Sequence, residues 1–264
     1  MTRLIRYLMM EALIHIARLT QPFRAFGIPI FVYHSIDHSG TSIAISPNIF
    51  EQHLHYLRTH AFQIVSTKQA LLAIQKNQRT NKCVVLTFDD AYITIAPWIE
   101  NLLDHSETAT IFVPTDMMGH SNCWDINRND IKQIEIMSSN HLKELGQKGC
   151  EIGAHTKTHP NLTHISPAER NQELSLGRTE LEQQLACPID IIAYPYGAFN
   201  EEVKRDTQVA GYVAALTTQL GYLTSNTDPL AIPRFPTNID FQLFRLIVHG
   251  GYGWYRKLQD FLFA

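Results

Sequence analysis

A parallel α/β fold is what this chain predicts, on three observations. Apolar, β-branched runs of strand length alternate with amphipathic helical stretches along most of its 264 residues. With 45% hydrophobic and 18% charged residues, it can bury one large core or two modest ones. Two apolar runs end in groups that bind protons or metals. Val84-Val85-Leu86-Thr87-Phe88 runs into Asp89 and Asp90, and Glu151-Ile152-Gly153-Ala154 runs into His155 and then His159. Chemistry at C-terminal strand ends favours a barrel with its site on that face. Periodicity alone does not separate such a barrel from a doubly wound open sheet.

Each element follows from local signals. Residues 1–16 are basic and apolar, but Glu11 and His15 interrupt the apolar stretch and no small-x-small cleavage site follows. The stretch is too short to span a bilayer. An amphipathic helix fits it, with Leu4, Leu8, Ala12 and Ile16 on one stripe and Arg3, Arg6 and Arg18 off it. That helix is expected to pack on the main domain, with contact to a membrane surface through residues 1–20 as the alternative. The division is then a helical extension over 1–26 and one domain over 27–264.

Residues 28–34 read as the first strand. Ser46 caps a helix over 47–59, and a second helix covers 67–75. After the strand that precedes the Asp pair come a helix over 95–105 and a strand over 108–113. A long polar connection fills 119–140. A helix over 141–148 is closed by Gly149. Ser166 caps a long helix to about 185, where Glu173, Leu174, Leu181 and Leu185 suit an amphipathic surface helix. A strand over 189–194, a helix over 200–211 and a strand over 212–217 follow. There are no internal repeats or low-complexity tracts.

Composition excludes some functions. A formal net charge of −3 shows no basic excess for nucleic acid. Cys83, Cys123, Cys150 and Cys187 are scattered, which fits neither a zinc knuckle nor a disulfide framework. Cys83, at the start of a core strand, reads as a small hydrophobe. Without a clean export signal, the expectation is the cytoplasm or its membrane face. No pattern speaks to oligomeric state.

Two adjacent carboxylates repel unless a cation or proton lies between them, and a metal site with one ligand and one base uses both. Adjacent Asp arise by chance often enough to need corroboration. His155 and His159 supply it: two imidazoles on a tight segment after a strand, followed by Pro160, can converge on one ion. With 13 His, that spacing also recurs by chance at His34 and His38, so context carries the argument. One Asp, two His and an open position make a reasonable catalytic divalent site.

Together these segments resemble the polysaccharide deacetylase (NodB-homology, carbohydrate esterase 4) family, from about residue 28 to about residue 244. Thr87-Phe88-Asp89-Asp90 matches its first motif, His155-Thr156-Lys157-Thr158-His159 its second, and Ala193-Tyr194-Pro195-Tyr196-Gly197 its third. Ala91 departs from the Gly that many members carry after the Asp pair, and alanine is expected to be tolerated there. In one branch of the family an Arg precedes the third motif and a Leu-x-His comes late. Here Ile191-Ile192-Ala193 stands in the first place, with an early Phe31-Val32-Tyr33-His34-Ser35 and a late Ile232-Pro233-Arg234-Phe235. That order is similar to the branch acting on poly-N-acetylglucosamine and related glycans.

The resemblance implies an irregular, seven-stranded (β/α) barrel. It implies a divalent metal on Asp90, His155 and His159, zinc by default, with Co, Ni or Mn able to replace it. It implies Asp89 as general base, Arg234 paired with Asp89, the Tyr196 backbone N–H as oxyanion donor and His34 as general acid. His249 faintly echoes the late motif of the other branch and ranks below His34. Trp124 and Asp125, in the long connection, could touch sugar. The implied reaction removes N-acetyl groups from a sugar in a polysaccharide, oligosaccharide or lipid-linked glycan. Two rivals are a metal amidohydrolase of the same fold acting on a small non-sugar amide, and an inactive glycan-binding module. Neither explains the intact Asp pair as well.

Overall fold

The computed structural model describes residues 3–20, 27–78, 80 and 82–263. In chain order, α1 (Arg3–Thr20) leads into β1 (Ile28–Tyr33) and a two-strand ribbon of β2 (Ser35–Ile36) and β3 (Ala44–Ile45). Next come α2 (Pro47–Thr59), β4 (Gln63–Val65), α3 (Thr67–Gln75), β5 (Cys83–Phe88), α4 (Ala96–Asp104) and β6 (Thr110–Val113). Then follow α5 (Ser139–Gln147), β7 (Glu151–Ala154), α6 (Pro167–Asn171), α7 (Gly177–Leu185), β8 (Ile191–Ala193), α8 (Glu201–Val209) and β9 (Ala214–Leu216). The chain finishes with β10 (Tyr222–Leu223), β11 (Phe235–Pro236), α9 (Phe241–Val248) and α10 (Tyr252–Phe263).

Strands β1, β5, β6, β7, β8 and β9 pair in that order and in parallel. β11 pairs in parallel with β1, and the residues just before it meet β9 through a single parallel bridge, Leu216 to Ile232. Seven parallel strands thus curl into the expected irregular barrel, with its join at that bridge. β10 runs antiparallel to β1, and β4 flanks β5.

Alternation along the strands sorts side chains into two layers. Ile30, Val85, Phe112, Ile191, Ala193, Ala214, Leu216 and Ile232 form one cluster between the strands, and the larger cluster lies under the helices. Helix α3 seals the N-terminal end of the barrel. The Thr67 and Thr110 hydroxyls are 2.9 Å apart, and the Ser66 hydroxyl donates to Glu151.

The expected caps are present at α2 and at the helix that starts at 167. The Ser46 side chain accepts from Ile49 N–H, and Ser166 forms a reciprocal box with Glu169. Several boundaries differ from expectation. α5 starts at 139 rather than 141, because Ser138 is its cap. The strands expected over 108–113, 189–194 and 212–217 form over only three or four of those residues. The long helix after Ser166 is interrupted by one π turn, Gln172–Leu176. β10 and β11 are two residues each, too short for periodicity to show.

α1 packs on the domain as expected, but through the opposite face. Met10, Ile14 and Ala17 are buried against Leu246 of α9, and Glu11 accepts from Arg245 at 2.6 Å. Leu8 and Ile16, which the sequence grouped as the packing stripe, are 57% and 48% exposed. A helix with apolar residues on two sides presents two candidate stripes, and only the partner surface on α9 chooses between them. The side chains of Arg3, Leu4 and Arg6 and the boundary between residues 26 and 27 lie outside the described residues. All four cysteines are free.

Candidate functional site

The site lies at the C-terminal ends of β1, β5, β7 and β8. Asp89 continues the alternation of Val85 and Thr87, so it faces the same side as the inner cluster. Its N–H donates to Tyr33 C=O at 2.9 Å, which sets β1 and the following His34 beside it. Arg234 stands two residues after inward-facing Ile232 and is 1% exposed. Its Nη1 and Nη2 donate to the two Asp89 oxygens at 2.7 and 2.8 Å. Its remaining donors reach Thr217 C=O at 2.9 Å and the Thr87 hydroxyl at 3.1 Å. A buried carboxylate alone would be pushed up. Burial raises the Asp89 carboxyl, and the Arg234 charge, with help from His155, overrides that and holds it well below the usual range.

Asp90 turns away from Asp89 because the chain enters the left-handed region there, with φ +67° at Asp90 and +53° at Ala91. Its Oδ1 lies 3.5 Å from His155 Nε2 and 3.4 Å from His159 Nε2. That oxygen is buried without a hydrogen-bond partner among the described residues. His155 Nδ1 donates to Ala193 C=O at 2.8 Å, so a neutral His155 presents a lone pair at Nε2. Burial holds His155 down to about 4 and holds His159 well down. Burial and the adjacent Asp89 charge push Asp90 well up. The His155 lone pair and His159 Nε2, facing an orphaned carboxylate oxygen with all three atoms within 4.8 Å of one another, make a donor set suited to one cation. The residues therefore fit a divalent metal.

The rest of the site packs round this cluster. The Trp124 ring stacks on His159 at 4.4 Å and 18°, and the Tyr196 ring meets the same imidazole edge-on at 4.9 Å. Tyr196 has φ +59° and its side chain is 53% exposed. The bonds of its turn run from Gly197 N–H to Tyr194 C=O and from Ala198 N–H to Pro195 C=O; Tyr196 N–H takes part in neither. Desolvation holds the His34 imidazole below its ordinary range, against the pull of Asp89. Asp125 is buried, 3.1 Å from the Asn122 amide, and its charge reaches Asp90 and His34. The long connection is more than a polar loop. Tyr92 bridges Ile136, and Met137 N–H donates to Ala91 C=O at 2.9 Å, holding the Asp turn.

The structure thus gathers Asp89, Asp90, His155, His159, Arg234 and Tyr196 with His34. It leaves His249 elsewhere: at the end of α9, its Nε2 is 2.9 Å from the Tyr56 hydroxyl, beside Phe62 and His60. The sequence reading missed Glu173, placed above on a surface helix. Its carboxylate instead accepts backbone N–H groups of the His155–His159 loop. Acceptance from peptide N–H groups leaves no residue-type signature in a sequence.

Comparison with known proteins agrees with this geometry. The family model described as polysaccharide deacetylase matches residues 76–215. YxkH of Bacillus subtilis is 28% identical over 209 residues, covering 78% of this chain and 70% of YxkH. The poly-beta-1,6-N-acetyl-D-glucosamine N-deacetylase of Staphylococcus aureus is 25% identical over 204 residues, covering 72% and 67% of the two chains. Among solved structures, the Streptococcus pyogenes deacetylase PplD superposes with a TM-score of 0.72 at 24% identity, over 84% of this chain and 98% of PplD. IcaB from Ammonifex degensii does so with 0.72 at 19% identity, over 86% and 98%.

Proposed function

Because the chain belongs to the polysaccharide deacetylase family, we propose that it is a metal-dependent hydrolase removing N-acetyl groups from a sugar in a polysaccharide, oligosaccharide or lipid-linked glycan. The observation that carries this reading is the Asp89–Arg234 pair set beside the Asp90, His155 and His159 cluster. The name of the Staphylococcus aureus relative supports an N-acetylglucosamine polymer as substrate class.

Asp90, His155 and His159 would hold the ion, zinc by the chemistry of the set, and bound there it would acidify a water and polarise the acyl carbonyl. Asp89, kept ionised by Arg234, takes the proton of the attacking water. Pro195 and Gly197 shape the turn so that Tyr196 N–H can face the oxygen that gains charge. His34 delivers a proton to the departing nitrogen. It is held neutral by desolvation, so it must acquire that proton within the cycle. The Trp124 and Tyr196 rings flank His159, where an aromatic face suits the apolar side of a pyranose. The acetyl C–N bond breaks, and the products are acetate and a free amine.

The test is acetate release from N-acetylglucosamine oligomers by the purified protein with divalent metal, for wild type and Asp89→Asn. Release that needs metal and falls at least about a hundredfold in the variant is expected. No release from any glycan, with metal bound, would move the substrate to a small amide.

We further propose that α1 rests on an anionic membrane surface. Tyr7, Leu8, Ile16 and Leu19 are exposed on it, and exposed Arg18 lies beside exposed Lys82, whose amine is lowered by burial and then by the Arg18 charge. The one acid of α1, Glu11, is paired with Arg245. An apolar stripe beside the Arg18 and Lys82 cations suits acidic headgroups.

A further inference from the structure

The loop that carries both imidazoles is held from two sides. On one side, Thr115 N–H donates to Thr156 C=O at 3.1 Å and Asp116 N–H to Lys157 C=O at 2.9 Å. On the other stands the face of the long helix bearing Glu173, Gly177 and Glu180. One Glu173 oxygen accepts Lys157 N–H and Thr158 N–H, both at 2.8 Å, and its other oxygen accepts the Thr158 hydroxyl at 2.6 Å. The Lys157 ammonium is answered separately by Glu180 at 2.6 Å. The Glu173 carboxylate is therefore directed at the loop backbone and not at a neighbouring charge.

Helix geometry brings Glu173 there. Glu173 lies inside the π turn, whose wide bond runs from Gly177 N–H to Gln172 C=O. π turns are rare and concentrate at functional sites. The turn's Leu174 C=O accepts the Tyr212 hydroxyl at 3.2 Å. Gly177 lets the helix backbone touch the loop, since a Cβ there would come 3.1 Å from Lys157 Cβ and 3.3 Å from its Cα. The loop needs such support, because Thr156 and His159 both sit in the left-handed region, at φ +64° and +65°. Non-glycine residues persist there only when their surroundings over-determine them.

We infer that Glu173 is a positioning residue for the metal centre: it fixes the backbone between His155 and His159 and so aims both imidazoles. This rests on the Asp90, His155 and His159 reading above. Partners that orient metal ligands typically change affinity by about 10–100-fold when removed.

The measurement is zinc affinity of the full chain, by competition with a chromophoric chelator, together with the visible spectrum of the cobalt form and the thermal midpoint without metal. Glu173→Ala is expected to weaken zinc binding by about 10–100-fold and alter the cobalt band, with the metal-free midpoint nearly unchanged. Glu173→Gln, whose amide oxygen can still accept both N–H groups, should bind close to wild type. Wild-type affinity in Glu173→Ala would overturn the inference. So would an equal loss in Glu173→Gln, which would assign the effect to charge. Should Glu173→Ala not fold, Thr158→Val removes a single one of the three bonds and is expected to bind several-fold more weakly; unchanged binding would again overturn it. A wild-type chain that binds no zinc would instead sink the metal-site reading itself.

Discussion

Asp89 and Arg234 meet as a buried, two-point pair, and removing either partner strands the other. Arg234→Met should destabilise the protein by about 3–5 kcal/mol in urea unfolding. It should also move the acid limb of kcat/KM to higher pH. Arg234 holds the Asp89 carboxyl below its ordinary range, so its loss lets that pKa rise, and the base then ionises only at higher pH. Arg234→Lys keeps the charge without the planar fork and should fall between. An unmoved acid limb in Arg234→Met would mean that Asp89 is not the base. Ala91 shows a smaller residue-scale effect. At φ +53° an alanine costs about 1–2 kcal/mol relative to a right-handed residue, and its fully buried methyl offsets part of that by packing. Alanine is therefore accommodated where the family's glycine would be free of strain.

At the scale of elements, α1 separates packing from outward apolarity. Ile14 and Ala17 hold it to α9, while Leu8 and Ile16 face out. Leu8→Glu combined with Ile16→Glu should abolish co-sedimentation with phosphatidylglycerol vesicles, and raised salt should weaken it in the wild type. The thermal midpoint should hold, because the packed face is untouched. Equal sedimentation of variant and wild type, or concentration-dependent dimers that the variant loses, would remove the membrane as occupant; the second result would put another copy of the chain there.

Across the whole molecule, buried imidazoles are kept neutral by the fold. Burial holds His53 and His155 at about 4 and His249 at about 3. A histidine with a lowered folded pKa binds fewer protons folded than unfolded between that pKa and its ordinary 6.5. Stability therefore rises with pH through this window and is lost on acidification from about 6.5 towards 4. Stability at about pH 7, 5.5 and 4.5 in urea unfolding should fall in that order, by roughly 1 kcal/mol per histidine for each pH unit of the window. A flat profile would show that the imidazoles are not buried as neutral groups.

Local sequence determined the alternation of strands and helices, the caps at Ser46 and Ser166, and the strand-end placement of Asp89, Asp90, His155 and His159. Each is a short-range consequence of side-chain period or capping chemistry, and so is written in consecutive residues. The tertiary structure decided the rest. It chose which stripe of α1 is buried, because that depends on Leu246 some 230 positions away. It closed the barrel through Ile232 and β11, an element too short to carry a period. It brought Arg234 and Asp89, separated by 145 positions, to within 2.7 Å. It also turned Glu173 from a surface helix onto the histidine loop, since hydrogen bonds to backbone depend on where the chain passes and not on which residues compose it.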